Sequence, residues 1–160
     1  MPKIDITAAP VRKGTAYPPP YDQPCLARHR VKLGDAAGLD QFGVNLLTLP
    51  PGVWSAQRHW HGGEDEFVWI VEGEVVLIDD AGEQILKAGD CAGFKAGVAN
   101  GHHLVNRSAR DAKLLEVGTR LADGADSVDY PDIDLMVPLG SDDYHHNDGE
   151  PYDDESARKR

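Results

Sequence analysis

From residue 42 onward, apolar and polar side chains alternate along short stretches that end at glycine, proline or aspartate. A period of two sends successive side chains to opposite faces of a pleated strand, and no long stretch here carries the 3.6-residue period of a helix. Phe42–Leu49 stops at Pro50-Pro51-Gly52, and residues 55–61 stop at Gly62-Gly63. Residues 66–72 are rich in aromatic and β-branched side chains and end at Gly73. Residues 75–79 and 83–87 flank Asp80-Ala81-Gly82, a hairpin pattern, and Gly89-Asp90 makes the next turn. Cys91–Phe94, residues 102–106 and Ala112–Thr119 complete the series. Many short strands at close spacing predict an all-β, antiparallel sandwich or barrel, in which closure removes exposed edges.

The chain divides by pattern into three parts: residues 1–41, an N-terminal arm with the first edge elements; 42–120, the strand series; and 121–160, an acidic C-terminal extension. Pro10, Pro18, Pro19, Pro20 and Pro24 remove backbone donors from the arm. It is expected to lie over the domain surface or to reach a neighbouring subunit's sheet edge. Residues 132–139 predict one further short element, and the chain from Gly140 onward reads as a mobile, solvated tail that includes His145 and His146.

Composition narrows the partners. The 41% hydrophobic content over 160 residues suffices for one compact core. Asp and Glu number 27 against 16 Lys and Arg, a formal net charge of -11 that opposes binding to nucleic acid or to an anionic membrane surface. Residues 121–160 carry 12 acidic and 3 basic side chains, so the strand region itself is nearly neutral. Cys25 and Cys91 are too few for a disulfide framework and are expected to remain thiols, Cys91 as a small buried hydrophobe. Neither a secretory leader nor a stretch of about 20 apolar residues occurs, so the expectation is a cytoplasmic protein.

His59 and His61 are two residues apart on a predicted strand and therefore face the same side. Two imidazoles in that relation can both reach one ion at about 2.1 Å. Glu66 can add an oxygen, because it follows the turn that returns the chain beside the first strand. Gln57 shares the phase of the two histidines, which makes it a candidate substrate contact.

Gly52, His59, His61, Glu66 and Gly73 together resemble the first signature of the cupin superfamily, with six residues between Gly52 and His59 where the usual pattern has five. Gly89, Gly97, His102 and Asn106 resemble the second signature, with Lys95 in place of its proline and a longer loop, residues 98–101, before His102. The resemblance covers roughly residues 42–119. It implies a cupin barrel (a double-stranded β-helix, or jelly roll) and His102 as the third imidazole, with His103 as the alternative. Residues 97–106 are also similar to small bacterial cupins of the sugar-phosphate-isomerase-like group.

Three imidazoles and one carboxylate suit a single divalent transition metal, namely Zn, Mn, Fe, Ni or Co, and leave positions open for a small-molecule substrate. The resemblance thus implies a metal-dependent enzyme acting on a small polar substrate, most simply a sugar or sugar-phosphate isomerase or epimerase. An iron-dependent dioxygenase and a non-catalytic ligand-binding module are the alternatives. Gln57 and Asn106 are the candidate substrate contacts. A sugar phosphate also requires a cationic anchor, for which Arg28, Arg30, Lys32, Lys95, Arg107 and Arg120 are available. An outward face bearing Phe67, Trp69 and Val71 needs cover, and a homodimer is the expected assembly.

Overall fold

The computed structural model describes residues 3–152. The arm contributes β1 (Val11–Lys13), which pairs with β2 (His29–Lys32), and a single helical turn, α1 (Leu33–Ala36), leads into β3 (Phe42–Leu49). There follow β4 (Trp60–His61), β5 (Glu66–Glu72), β6 (Glu74–Asp79), β7 (Gly82–Lys87), β8 (Cys91–Phe94), β9 (His103–Val105) and β10 (Ala112–Thr119). Two short strands close the chain, β11 (Val128–Asp129) and β12 (Met136–Val137).

One sheet runs β1-β2-β3-β10-β5-β8 and a second runs β7-β6-β9, all antiparallel. Their inward side chains meet in one apolar cluster, in which Leu47, Leu49, Ile70 and Leu114 of the first sheet pack with Val75, Leu77 and Leu104 of the second. The all-β, antiparallel sandwich or barrel expected from the alternation is therefore present. Gly73 joins β5 to β6 at a φ of +80°, and a Cβ there would lie 2.9 Å from the Asp111 carbonyl oxygen, so the turn admits only glycine. The β6–β7 hairpin forms where Asp80-Ala81-Gly82 placed it, with Asp79 opposite Gly82.

Register sorts each strand into two faces. Trp69 lies opposite Leu115 on one side and Cys91 on the other, and these positions point outward. Phe67, Trp69 and Val71 are 38%, 50% and 53% exposed, the outward row read from the sequence. Cys91, expected inside, is exposed because it shares that outward phase on an edge strand, whereas Cys25 is fully buried; both are free thiols. Residues 55–61 do not form the continuous strand expected of them. Only Trp60 and His61 do, and the preceding bends are tied by Ser55 N–H to the Leu104 carbonyl (2.8 Å) and by the bridge between His59 and His102.

The two ends depart most from expectation. The arm pairs at home: Val11, Arg12 and Lys13 are in register with Val31, Arg30 and His29. The acidic extension is no solvated tail as far as residue 152, because residues 128–144 build a second core. Tyr17 and Cys25 from the arm pack there with Val128, Tyr130, Leu135, Val137 and Tyr144. The alternation test missed it because these apolar positions are irregularly spaced and diluted by aspartates. His145 bridges to Met136, and His146 pairs with Asp134 at 2.6 Å. The last part of the expected tail, residues 153–160, lies outside the described residues. No helix among the described residues is long and apolar enough to cross a membrane.

This packing has a direct test. Leu135→Ala, at a fully buried position of the second core, is expected to cost about 2–5 kcal/mol in denaturant unfolding, the range for truncating a buried leucine. A solvated extension would lose almost nothing.

Candidate metal centre and its cavity

Three separate turns bring the site together. His59 sits in the bend before β4 and His61 ends that strand. Glu66 opens β5, in register with Phe94 of β8 and Gly118 of β10, and His102 precedes β9. The Nε2 atoms of His59, His61 and His102 lie 3.8, 3.6 and 3.0 Å from one oxygen, Glu66 Oε2. Two donors that share an ion at about 2.1 Å are at most about 4.2 Å apart. Each imidazole nitrogen is thus within that reach of the carboxylate oxygen, and His59, His61 and Glu66 form a group that could hold a metal ion. His59, His61 and Glu66 offer ligand atoms that are all within 4.8 Å of one another, while His102 joins the group through its hydrogen bond to Glu66.

The other ring nitrogens fix the tautomers. His59 Nδ1 lies 2.8 Å from the Gln57 carbonyl oxygen, an acceptor only, so Nδ1 carries the proton and Nε2 presents its lone pair. His61 Nδ1 lies 2.6 Å from Asp126 Oδ2 and is fixed in the same way. Asp126 is itself buried, and its Oδ1 accepts from Gly63 N–H at 2.9 Å. The Gly62-Gly63 turn allows this approach: Cβ atoms at these positions would fall 2.3 Å from Ser127 Oγ and 2.8 Å from Leu121 Cδ1. Phe94 stacks on His102 with ring centres 3.5 Å apart, and Tyr130 stacks on His59 at 5.6 Å.

Electrostatics keep the imidazole of His59 neutral. Burial drives its pKa down to about 3, against the opposing pull of Glu66, and His61 and His102 add to the fall. Burial raises Glu66, but the His102 hydrogen bond and the neighbouring imidazoles outweigh it and hold the carboxyl well below its ordinary range. A neutral imidazole beside an ionised carboxylate is the state a cation requires.

His102, not His103, meets Glu66. His103 Nδ1 faces the Ala56 carbonyl oxygen at 3.1 Å, and its ring stands edge-on to Trp54. The two residues expected at the substrate are engaged elsewhere. Gln57 is buried and its Nε2 donates to the Tyr21 carbonyl at 2.6 Å. Asn106 is fully buried: its Nδ2 donates to the Leu49 and Arg110 carbonyls, both at 2.7 Å, and its Oδ1 accepts from Ser108. Neither side chain lines the cavity, because both serve to pin loops. Asp126 and Tyr130 were not found from the sequence, since nothing distinguishes one aspartate and one tyrosine within an acidic, irregular stretch.

The histidines open onto a cavity of about 340 Å³. Its other walls come from the inward faces of β2, β3 and β10, from the arm, and from Tyr130 and Tyr144. Glu116 of β10 holds Arg30 of β2 through two hydrogen bonds, at 2.6 and 3.0 Å. The cavity is thus polar at its floor, while the apolar core fills the opposite end of the barrel.

Two measurements check this account. His59 takes up a proton in the unfolded chain near its ordinary 6.5 but resists it in the folded one. The metal-free protein is therefore expected to lose stability as pH falls below about 6.5, with His59→Gln flattening that slope in denaturant titrations. Asp126→Asn is expected to weaken divalent-metal affinity about 10–100-fold, measured by competition with a chelator, while the fold is kept.

No protein with a curated description matches this chain. A family model described as the cupin domain matches residues 45–118. Among solved structures, a sugar phosphate isomerase from a cupin superfamily of Silicibacter pomeroyi is 41% identical, with 98% of this chain and 99% of that one covered and a TM-score of 0.87. A putative sugar phosphate isomerase from Acidithiobacillus ferrooxidans is 29% identical over 74% of each chain, with a TM-score of 0.68. A predicted oxalate decarboxylase from Thermotoga maritima is 28% identical over 59% of this chain and 81% of that one, with a TM-score of 0.51. With a 41% identical relative matched over nearly its whole length, and a cupin-domain model matching residues 45–118, the chain belongs to the cupin superfamily.

Proposed function

We propose that this protein is a divalent-metal-dependent enzyme of the sugar or sugar-phosphate isomerase or epimerase type. The observation that carries the reading is the convergence of three imidazole Nε2 atoms on Glu66 Oε2 at the wall of a cavity sized for a small polar molecule. The two relatives whose names include sugar phosphate isomerase support it.

His59, His61, Glu66 and His102 would hold the metal, which when bound supplies Lewis-acid polarisation of a substrate carbonyl or hydroxyl. The chain's own residues do the rest. Asp126 and the Gln57 carbonyl orient His61 and His59. Phe94 and Tyr130 cover ring faces of His102 and His59 and keep water from them. A small polar substrate held in this cavity would have its reacting C–H bond among the side chains of β2, β3 and β10 that form the other walls.

The test is elemental analysis of protein purified without added metal, followed by proton NMR of sugars and sugar phosphates incubated with it in D2O under nitrogen. Stoichiometric metal and C–H exchange on one substrate are expected, with His59→Ala and Glu66→Gln each losing at least about 100-fold of the exchange rate. Turnover that consumes oxygen and needs ferrous iron would replace this reading with the dioxygenase. Equal metal in the wild type and His59→Ala would remove the site.

A further inference from the structure

At the cavity wall formed by the arm and β2, three arginines lie together and one of them is held by a carboxylate. Arg12 faces Arg30 across the β1–β2 pair, and Arg28 leads into β2; all three line the same cavity as the histidines. Only Arg30 is neutralised there, through its two bonds to Glu116.

Arg28 is the anomaly. It is 5% exposed, its Nε donates to the Gly14 carbonyl at 3.1 Å, and its guanidinium carbon sits 5.7 Å from the centre of the Tyr17 ring. Its Nη1 is buried and has no hydrogen-bond partner. Native proteins rarely leave a donor on a buried cation unmet, and each exception calls for an explanation. The like charge of Arg30 adds to the burden on Arg28, and both act in the same way on Arg12. Of the other cations read as anchors from the sequence, Lys32 and Arg120 pair with Asp35, Arg107 pairs with Glu83 outside this cavity, and Lys95 lines a second pocket on the other side of His61 and His102.

We propose that Arg12, Arg28 and Arg30 form a subsite for the phosphate monoester group of the substrate. Of the three guanidiniums only Arg30 has a carboxylate partner, and a phosphate monoester near neutral pH is a dianion. Guanidinium forks match phosphate oxygens in geometry as well as charge, and the unmet Nη1 donor of Arg28 gains an acceptor. The phenols of Tyr17, Tyr130 and Tyr144 stay protonated because burial raises all three, so their hydroxyls are donors beside the same group. Tyr130 stacks on His59 and stands edge-on to Tyr17, whose ring lies under the Arg28 guanidinium, so two packed tyrosines link the histidine group to the arginine group. This subsite deepens the isomerase reading, and rests on it, for the remainder of the substrate; the anion itself is argued from the arginines alone.

The experiment is titration of inorganic phosphate into the full-length protein stripped of metal, followed by calorimetry at fixed low ionic strength, with acetate as the comparison anion. Saturable phosphate binding is expected in the wild type and equally in His59→Ala, with acetate at least about tenfold weaker because it carries one charge and two oxygens. Arg28→Gln is expected to weaken phosphate about tenfold or more. If Arg28→Gln fails to fold by circular dichroism, Arg12→Gln, at a half-buried position, decides in its place with the same expected loss.

Acetate binding as tightly as phosphate would overturn the assignment in favour of a carboxylate subsite. Absence of wild-type binding at millimolar phosphate would overturn it outright, as would binding lost in His59→Ala but kept in the arginine variants. Phosphate binding without any sugar-phosphate turnover leaves the subsite standing and removes the isomerase; turnover of an unphosphorylated sugar without phosphate binding does the reverse.

Discussion

A single carboxylate oxygen surrounded by three imidazole nitrogens is the interaction on which the rest of this structure turns. Partial burial of Glu66 is costly, and the hydrogen bond from His102, with the neighbouring imidazoles, offsets that cost. Such an approach demands that three loops end at the same point. The demand is met by register: Glu66 is fixed between Phe94 and Gly118, and His59 is bridged to His102. Shifting either pairing by one residue would turn a ligand to the opposite face.

The elements that came through clearly from the sequence are those with a period and a punctuating turn. β3, β5, β8 and β10 begin and end where the alternation and the flanking glycines put them. His59 and His61 do lie on one side, as the strand phase predicted, although His59 sits in the bend before β4; their rings meet edge to face with centres 5.1 Å apart. The choice of His102 over His103 needed the spacing to Asn106, and Asn106 explains why that spacing is kept. It ties the loop after β9 to the end of β3 from a fully buried position, without touching the cavity. Gln57 misled for a related reason. Phase alone puts it with the histidines, but the bends before β4 break the pleat, and its amide meets the Tyr21 carbonyl instead.

What the sequence concealed lies in the two ends, where no period exists to read. The arm's prolines discourage regular pairing, and Val11–Lys13, which falls between them, supplies three residues of ladder among the edge elements expected there without a period to place them. The extension looked solvated because charge dominates its composition. Its few apolar residues nonetheless meet the arm in a second core, and its Asp126 is turned inward onto His61. Charge counted along a chain reports on solvent only if the side chains face it, and here one of the acidic residues is buried.

The two ends matter to chemistry because they complete a cavity that the barrel alone leaves open. Arg12 and Tyr17 come from the arm, Tyr130 and Tyr144 from the extension, and the four share one wall. Tyr17, Tyr130 and Tyr144 pack against one another with ring centres 5.5 to 6.2 Å apart, so arm and extension hold each other in place. On the proposed reading this gives the cavity opposite requirements at its two sides: electron-pair donors for a cation at the histidines, and hydrogen-bond donors for an anion at the arginines. A small substrate with a dianion at one end and a carbonyl at the other then has one favourable orientation. The reversed one would set phosphate oxygens against Glu66 and leave Arg28 unmet. Orientation would thus follow from charge placement alone, before any contact specific to the sugar is made.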